Sequence, residues 1–476
     1  MEQLYNVVIA PLNDILWSYI LIFLLIILGT YFTVKSHFVQ FRLFPHMFKL
    51  LTESTGNRKD HSISSFQAFC IGTASRVGTG NLTGIALAIV AGGPGAIFWM
   101  WCLALLGSAS AFVESTLAQI YKVKDGHRYR GGPAYYIQQG LKQKWMAWLF
   151  CILIIITFGF VFNAVQANTI AVSFEKAFNI PTWLIGSIIT IATAFIIFGG
   201  VRRIAVATEI IVPIMAVAYI FVVLYVMVLH YRMIPELFSI IVSSAFGIKP
   251  IVGGVLGVTV KSALENGIRR GLFSNEAGMG SAPNAAATAE VSHPVKQGLI
   301  QALGVFSDTI VICSATAFIV ILAGKYNVGD YTGIQLTQES LSALVGPWGD
   351  TFIAVCILMF AFSSIIGNYY YGETNVEFMG NSKSALLIYR LLVLYMVMFG
   401  SLQKVAVVWN TADFSMGLMA LVNLIALIFL GKIALAALKD YTKQLKQGKN
   451  PVFFQDDIEG VNISVECWPK RKDDKK

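Results

Sequence analysis

The chain has 476 residues, of which 56% are hydrophobic and 13% charged, and its mean hydropathy is +0.68. Soluble domains carry about 25% charged residues, so this composition excludes a soluble globular protein and indicates a multi-pass membrane protein. The net charge of +9 lies mostly in the loops between apolar runs, which argues against a nucleic-acid partner.

The apolar runs predict an all-α protein with eleven membrane spans, at about 15–34, 66–90, 95–120, 146–173, 182–199, 208–229, 251–287, 298–323, 351–371, 384–401 and 406–431. Of the 35 Lys and Arg residues, 28 then fall on one side of the membrane, Arg269 and Arg270 among them, and five on the other. The positive-inside rule makes the richer side cytoplasmic. We therefore expect a protein of the cell membrane with an outer N-terminus and a cytoplasmic C-terminus.

The segment 1–65 is predicted to hold an outer N-terminus, one accessory transmembrane helix and a basic cytoplasmic loop. Residues 1–14 contain no Lys or Arg, so we expect the first apolar run to be a retained helix and not a cleaved signal peptide. The loop contains Phe38, Phe41, Phe44 and Phe48, which suit an interfacial amphipathic helix.

Span two is interrupted by the sequence Ala-Ser-Arg-Val-Gly-Thr-Gly-Asn-Leu-Thr-Gly, residues 74–84. Each glycine weakens a helix by roughly 1 kcal/mol, and Arg76 at bilayer depth is costlier still. Because freed backbone groups are tolerated only against protein or a cavity, we expect a broken helix that forms a binding site. The alternatives are a helix-packing motif, Gly80-x-x-x-Gly84, and a phosphate loop, which Thr83 and the lack of a preceding strand argue against.

Such a break has two chemical uses. The N–H groups that open the second half-helix favour an anion such as a substrate carboxylate, and the freed carbonyls suit a cation. Ser363 and Ser364 in span nine add hydroxyl oxygens suited to Na⁺, unless they only pack helices. Span four carries four polar residues, which predict a cavity wall or interhelical hydrogen bonds: Asn163, Gln166, Asn168 and Thr169.

A second interruption is predicted in span seven at Ser274–Pro283. Spans two to six and seven to eleven form two sets of five, and an odd repeat re-enters from the opposite face, which predicts inverted topology. The repeats would cover residues 66–229 and 250–431. The mixed-charge tail 432–476 would be cytoplasmic, and from Lys439 onward it needs no structure.

Four ionisable residues are predicted within the membrane: Arg76, Glu114, Glu276 and Asp308. Glu114 is a candidate counter-ion for Arg76. The group either holds the core together as structural ion pairs or forms a gate that breaks between inward and outward states.

The residues Gly-Gly-Pro-Gly-Ala-Ile-Phe-Trp-Met-Trp at 92–101, continuing to Gly107, resemble the signature of the sodium:alanine (alanine or glycine:cation) symporter family. Residues 78–81 and 274–283 resemble its other hallmark segments, and the resemblance covers about residues 15–445. It implies Na⁺- or H⁺-coupled uptake of small neutral amino acids on a LeuT-type five-plus-five inverted-repeat fold, preceded here by one accessory helix.

The resemblance also implies site residues. Thr79, Gly80 and Asn81 would contact the substrate, with Gln166 facing the pocket, and a sodium ion would sit between the carbonyls of Ala74 and Val77 and the hydroxyls of Ser363 and Ser364. Asn368 stands where some relatives have a bulky aromatic, so the pocket has room for glutamine. We also assign two residues of the second interruption to the substrate site, Asn275 and Gly278.

The sequence therefore predicts a symporter, not an enzyme, that imports alanine, glycine or glutamine across the lipid bilayer with Na⁺ as coupling ion and no other cofactor. The alternatives are H⁺ coupling and an ion channel. A channel is disfavoured because the sequence shows no acid ring or carbonyl-filter motif. A membrane enzyme would need a nucleophile–base pair or metal cluster at depth, and all six histidines fall in loops or at span edges.

Overall fold

The computed structural model describes residues 10–53, 63–126, 128–247, 259–327, 331–380, 382–458 and 465–470. Its first half consists of α1 (Ala10–Lys35), α2 (Val39–Arg42), α3 (Phe44–Thr52), α4 (Ser65–Arg76), α5 (Gly80–Gly92), α6 (Gly95–Ile120), α7 (Pro133–Tyr136), α8 (Lys144–Phe178), α9 (Thr182–Ile197), α10 (Gly200–Leu229) and α11 (Ile234–Ala245). Strands β1 (Val123–Asp125) and β2 (Arg128–Arg130) form an antiparallel hairpin between α6 and α7, with Lys124 opposite Tyr129.

The second half consists of α12 (Val260–Asn275), α13 (Ala282–Ala286), α14 (Pro294–Ala323), α15 (Gly333–Val345), α16 (Trp348–Met379), α17 (Lys383–Ser401) and α18 (Val405–Lys446). Residues 251–258, the predicted start of span seven, lie outside the described ranges.

Eight of the described helices are long and apolar enough to cross a membrane: α1, α6, α8, α14, α16, α17, α18 and residues Arg202–Leu229 of α10. The other three predicted spans fall on the interrupted pairs α4–α5 and α12–α13 and on α9, which has 16 residues. The all-helical membrane class is confirmed, and the count of eleven and the inverted repeat remain predictions.

Two groups of helices enclose the core. Helix α6 packs against α12 and α14, and α8 packs against α16 and α17, while α4 packs against α10 and α16. The start of α4 is fixed by a capping box, in which the Ser64 hydroxyl accepts from the Gln67 N–H and the Gln67 side chain accepts from the Ser64 N–H. This cap sets where α4 begins, so the interruption that follows Arg76 is held at a defined depth.

The structure corrects three expectations. The segment between the predicted spans 298–323 and 351–371, expected to be a loop, contains α15, whose residues Leu336 and Leu341 are fully buried. The tail is structured beyond Lys439, because α18 continues to Lys446 and the Trp468 indole donates to the Gln119 carbonyl at 2.9 Å.

The third correction concerns the charge count. Arg269 and Arg270 lie inside α12, and Arg270 pairs with Asp413 of α18, so neither belongs to a cytoplasmic loop. The positive-inside rule concerns loops, so these two arginines inside α12 carry no weight in it. The excess on the cytoplasmic side becomes 26 to five, and the predicted orientation is unchanged.

The segment predicted to form an interfacial helix contains two short helices, α2 and α3, and its position at a membrane surface stays a prediction. Three of its phenylalanines are about half exposed: Phe38, Phe41 and Phe48. The fourth, Phe44, packs edge-on against Phe306 at 4.8 Å between ring centroids. The two helices thus rest on the protein on one side and present aromatic rings on the other.

Candidate functional site

The first interruption is confirmed. Helix α4 ends at Arg76, Val77 has a non-helical ψ of 87°, and α5 begins at Gly80 with a π-helical turn. Gly78 is required here by space, because a Cβ at this position would overlap the Ser364 hydroxyl and lie 2.8 Å from Gln166 Oε1. Side chains from two other helices therefore press directly against the break.

The second interruption is also confirmed. Helix α12 ends at Asn275, and Glu276 adopts the left-handed conformation with φ of 59°. Gly278 and Gly280 follow with φ of 85° and 84°, which residues with a side chain rarely adopt. Helix α13 then begins at Ala282.

The two interruptions contact each other. A Cβ on Gly80 would lie 3.0 Å from the Ser274 Cα, so the two backbones pass closely. The Asp308 carboxylate joins them, accepting from Asn81 Nδ2 at 2.7 Å and from Ser274 Oγ at 2.8 Å. Two breaks separated by about 200 residues of sequence thus form one buried polar centre.

A second carboxylate makes a similar connection. Glu276, in the second break, accepts from Ser75 Oγ of α4 at 2.7 Å and from Ser281 Oγ at 2.6 Å. Ser75 lies between this acid and α16, because its hydroxyl is also 2.7 Å from Asn368 Oδ1. Ser75 and Ser274 were not singled out in the sequence, although both lie inside the two interrupted stretches.

Glu114 has a role in the second break and not beside Arg76. Its carboxylate accepts from the Gly278 N–H at 3.2 Å, the Gly280 N–H at 3.1 Å and Asn423 Nδ2 at 2.8 Å. Asn423 also donates to the Gly278 carbonyl at 2.9 Å. These contacts satisfy backbone groups that the interruption frees, which is what a buried break requires.

Arg76 is 2% exposed and lies at the carboxyl end of α4, where the helix dipole favours a cation. Its Nη1 is 3.4 Å from the Gln301 carbonyl, and its Nε and Nη2 have no hydrogen-bond partner among the described residues. It lies within electrostatic reach of Glu276, Asp308 and Glu114 without pairing with any of them in the described structure. The predicted Arg76–Glu114 contact is therefore not formed here.

Three of the four predicted cation ligands converge. Ser364 Oγ donates to the Ala74 carbonyl at 2.8 Å and is 3.4 Å from the Val77 carbonyl. The fourth, Ser363, turns away, with its Oγ 2.9 Å from the Phe360 carbonyl and 3.7 Å from Met215 Sδ. Adjacent residues of a helix project about 100° apart, so one of the pair faces the break and the other faces α10.

The predicted substrate residues of the first break lie next to these oxygens, at the same interruption. The Thr79 N–H donates to Gln166 Oε1 at 3.0 Å, and the Gly78 N–H donates to Asn81 Oδ1 at 2.9 Å. Asn368 follows Ser364 by one helical turn of α16, and its Nδ2 has no hydrogen-bond partner among the described residues. All of these side chains are at most 2% exposed, so the centre is closed from both sides.

The other predicted residues form hydrogen bonds away from the first break. Asn168 Nδ2 donates to the Gly400 carbonyl at 3.0 Å, and Asn163 and Thr169 bond to carbonyls of their own helix. Of the four polar residues of span four, Gln166 alone reaches the break among the described contacts. In the second break, Asn275 bonds to Thr309 at 3.2 Å and caps the Ala277 N–H at 3.0 Å.

Helix α15 covers the end of the site that is predicted to face outward. Its Thr337 hydroxyl donates to the Leu82 carbonyl of α5 at 3.0 Å. Trp409 of α18 lies beside Gly84, and the Arg270 guanidinium, which is paired with Asp413, stacks over its ring. The centre is thus separated from the predicted outer surface by a helix and a buried ion pair.

Comparison with known proteins agrees with this architecture. Residues 1–455 match the family described as "Sodium:alanine symporter family". The chain is 53% identical to the "Probable sodium/glutamine symporter GlnT" of Bacillus subtilis, over 98% of this chain and 97% of that protein. It is 51% identical to the "Amino-acid carrier protein AlsT" of the same organism, over 99% of each.

A more distant relative is the "Sodium/alanine symporter AgcS" of Methanococcus maripaludis, 35% identical over 93% of this chain and 98% of that one. Among solved structures, a manganese transporter of Eremococcus coleocola superposes with a TM-score of 0.51 and 14% identity, covering 83% of this chain and 84% of that one. That likeness concerns the fold alone. From the family match and the identities over nearly the full length, the chain belongs to the sodium:alanine symporter family.

Proposed function

We propose that this protein is a secondary active symporter that imports a small neutral amino acid together with Na⁺. The observation that carries the proposal is the convergence of the Ala74 carbonyl, the Val77 carbonyl and the Ser364 hydroxyl at the end of a broken helix. Freed carbonyls at half-helix ends are typical cation ligands in transporters. These three oxygens would hold the ion when the Ser364 hydroxyl rotates its proton away.

The substrate carboxylate would bind at the start of α5, where the positive end of the helix dipole lies. The Gly78 and Thr79 N–H groups there bond to the side-chain oxygens of Asn81 and Gln166. A carboxylate would replace these oxygens, so Asn81 and Gln166 act as exchangeable partners of the same donors. The ion and the carboxylate would then lie next to each other at one short break, and each would lower the electrostatic cost of the other.

Asn368 supports glutamine as a substrate beside alanine and glycine. Its Nδ2 is buried with no hydrogen-bond partner among the described residues, and such a donor is costly unless it is used. The side-chain carbonyl of glutamine is a matching acceptor. The relative at 53% identity is named a probable sodium/glutamine symporter, which is consistent with this choice.

Proton coupling is the second candidate. Glu276 and Asp308 are both buried, and each joins the two interrupted helices. A carboxyl that gains or loses a proton there would change contacts between the two halves. We propose these acids, with Arg76 and Glu114, as the groups whose contacts change between outward and inward states.

The test is uptake of radiolabelled alanine, glycine and glutamine into proteoliposomes. Three conditions are compared: an inward Na⁺ gradient, an inward proton gradient, and neither gradient. The proposal predicts uphill accumulation of at least one amino acid under the Na⁺ gradient. Accumulation under the proton gradient alone would favour the second candidate, and no gradient-dependent accumulation would reject both.

A further inference from the structure

A basic cavity lies at the cytoplasmic ends of α1 and α18, far from the interrupted helices. Its volume is about 630 Å³, and six of its lining residues are basic: Lys35, His37, Arg42, Lys439, Lys443 and Lys446. None of the lining residues given for this cavity is acidic. Two segments about 400 residues apart in sequence therefore converge to build one concentrated positive site.

Cytoplasmic lysines and arginines are expected in any membrane protein, but an ordinary excess of positive charge is spread over loops. Here Lys35, Arg42, Lys443 and Lys446 place four formal positive charges around one concave space, and like charges held together are unfavourable unless an anion binds among them. The chain also bends sharply to build the cavity, since His37 and the next residue, Phe38, both have positive φ, at 54° and 55°. Residues with a side chain rarely adopt this conformation.

The surroundings of the cavity are apolar. One face of α1 leads down to Lys35 with four exposed side chains at helical spacing: Phe23, Ile27, Tyr31 and Val34. A similar stripe on α18, formed by Ile425, Ile428 and Phe429, leads towards the cavity residue Leu435. Phe38 and Phe41 are also half exposed beside it.

An occupant must therefore be an anion that carries long apolar chains. We propose that this cavity binds the head group of an anionic phospholipid, whose acyl chains lie along the exposed faces of α1 and α18. Basic pockets between membrane helices on the cytoplasmic side suit such head groups. A free phosphate shares the charge but cannot use the apolar stripes, so it would bind more weakly.

The experiment measures lipid binding to the purified full-length protein in detergent, by native mass spectrometry during titration with dioleoyl phosphatidylglycerol. Dioleoyl phosphatidylcholine and inorganic phosphate are the comparison ligands. The cavity variant is Lys439→Gln/Lys443→Gln/Lys446→Gln. The control removes the same charge from exposed cytoplasmic lysines outside the cavity, as Lys124→Gln/Lys144→Gln/Lys383→Gln. A second cavity variant, Lys35→Gln/Arg42→Gln, tests the same cavity if the first variant does not fold.

Each basic residue near an anionic lipid contributes about fivefold in affinity, so the triple cavity variant should bind phosphatidylglycerol about 100-fold more weakly. The control variant should stay within about twofold of wild type, because none of its three lysines lines the cavity. Phosphatidylcholine should bind weakly to all of them. Unchanged phosphatidylglycerol binding in both cavity variants would overturn the proposal, and so would displacement of the lipid by millimolar inorganic phosphate.

Discussion

Replacing Ser364 by alanine should specifically weaken the cation site. The Ser364 hydroxyl is 2.8 Å from the Ala74 carbonyl and 3.4 Å from the Val77 carbonyl, and it is fully buried. Removing it deletes one of three converging oxygens and leaves the two carbonyls without their bridging group.

The expected magnitude follows from the value of an interaction with a charged group, about 1.5–3 kcal/mol. Since about 1.4 kcal/mol corresponds to a factor of ten, the Na⁺ concentration for half-maximal uptake should rise about 10- to 100-fold. The maximal rate at saturating Na⁺ should change much less, because the groups proposed to bind the substrate, at Thr79 and Gln166, are intact.

The assay is amino-acid uptake into proteoliposomes at graded Na⁺ concentrations. Ser401→Ala is the matched control, because Ser401 is a buried serine that bonds only to its own helix among the described contacts, at 3.0 Å from the Val397 carbonyl. Ser363→Ala is the informative comparison. Its hydroxyl faces Met215, so the structure predicts that the Na⁺ concentration for half-maximal uptake changes by less than about twofold. The sequence instead predicted that Ser363 and Ser364 both bind the ion. An unchanged Na⁺ dependence in Ser364→Ala would refute the cation site.

Three further variants test other parts of the account. Gly78→Ala should reduce uptake by at least about tenfold, because the added Cβ has no space beside Ser364 and Gln166. Gly84→Ala is the control and should be tolerated, because its Cβ would be 3.5 Å from Trp409, an ordinary contact distance. Equal losses of uptake in the two variants would contradict this prediction. Asn368→Trp should reduce glutamine uptake about 10- to 100-fold and glycine uptake much less, and equal effects would mean that position 368 does not size the pocket. Burial lowers the pKa of His293 below its usual 6.5, so the neutral ring stabilises the fold above pH 6.5 and this contribution is lost as the pH falls. The melting temperature of His293→Asn should therefore fall less than that of wild type between about pH 6.5 and 5, and parallel curves would exclude this role.

The interruptions could be predicted from sequence because their causes are local. Glycines two apart weaken a helix wherever they stand, and Arg76 at depth signals a protein-lined environment. The structure places both breaks where the sequence predicted them, at residues 77–79 and 276–281.

The partners across the centre could not be predicted, because they depend on tertiary packing. Nothing in the position of Glu114 in the sequence indicates that its carboxylate accepts hydrogen bonds from the Gly278 and Gly280 N–H groups and does not pair with Arg76. Asn423 gives a weak signal as a lone amide deep in the last span, but its contact with Glu114 depends on how α6 and α18 pack. The difference between Ser363 and Ser364 likewise depends on the rotation of α16, which an apolar run leaves undetermined.

Helix α15 and the tail were missed for a related reason. Gly333–Val345 mixes polar and apolar residues and is too short for a span, yet its buried face packs onto the outer end of α5. The tail is highly charged, but Phe453 and Trp468 are buried apolar anchors, and their rings meet at 5.1 Å. Composition averaged over a segment hides a few residues that determine its packing.

In the proposed mechanism, one broken helix holds the coupling ion and the substrate side by side. Its most direct test is equilibrium binding to the purified protein, with the dissociation constant of glutamine measured at several Na⁺ concentrations and that of Na⁺ at several glutamine concentrations. Because coupling between two sites is reciprocal, the account predicts that each ligand tightens the other by the same factor, and that Ser364→Ala reduces both effects equally. Glutamine binding that is identical in Na⁺ and in K⁺ would contradict it.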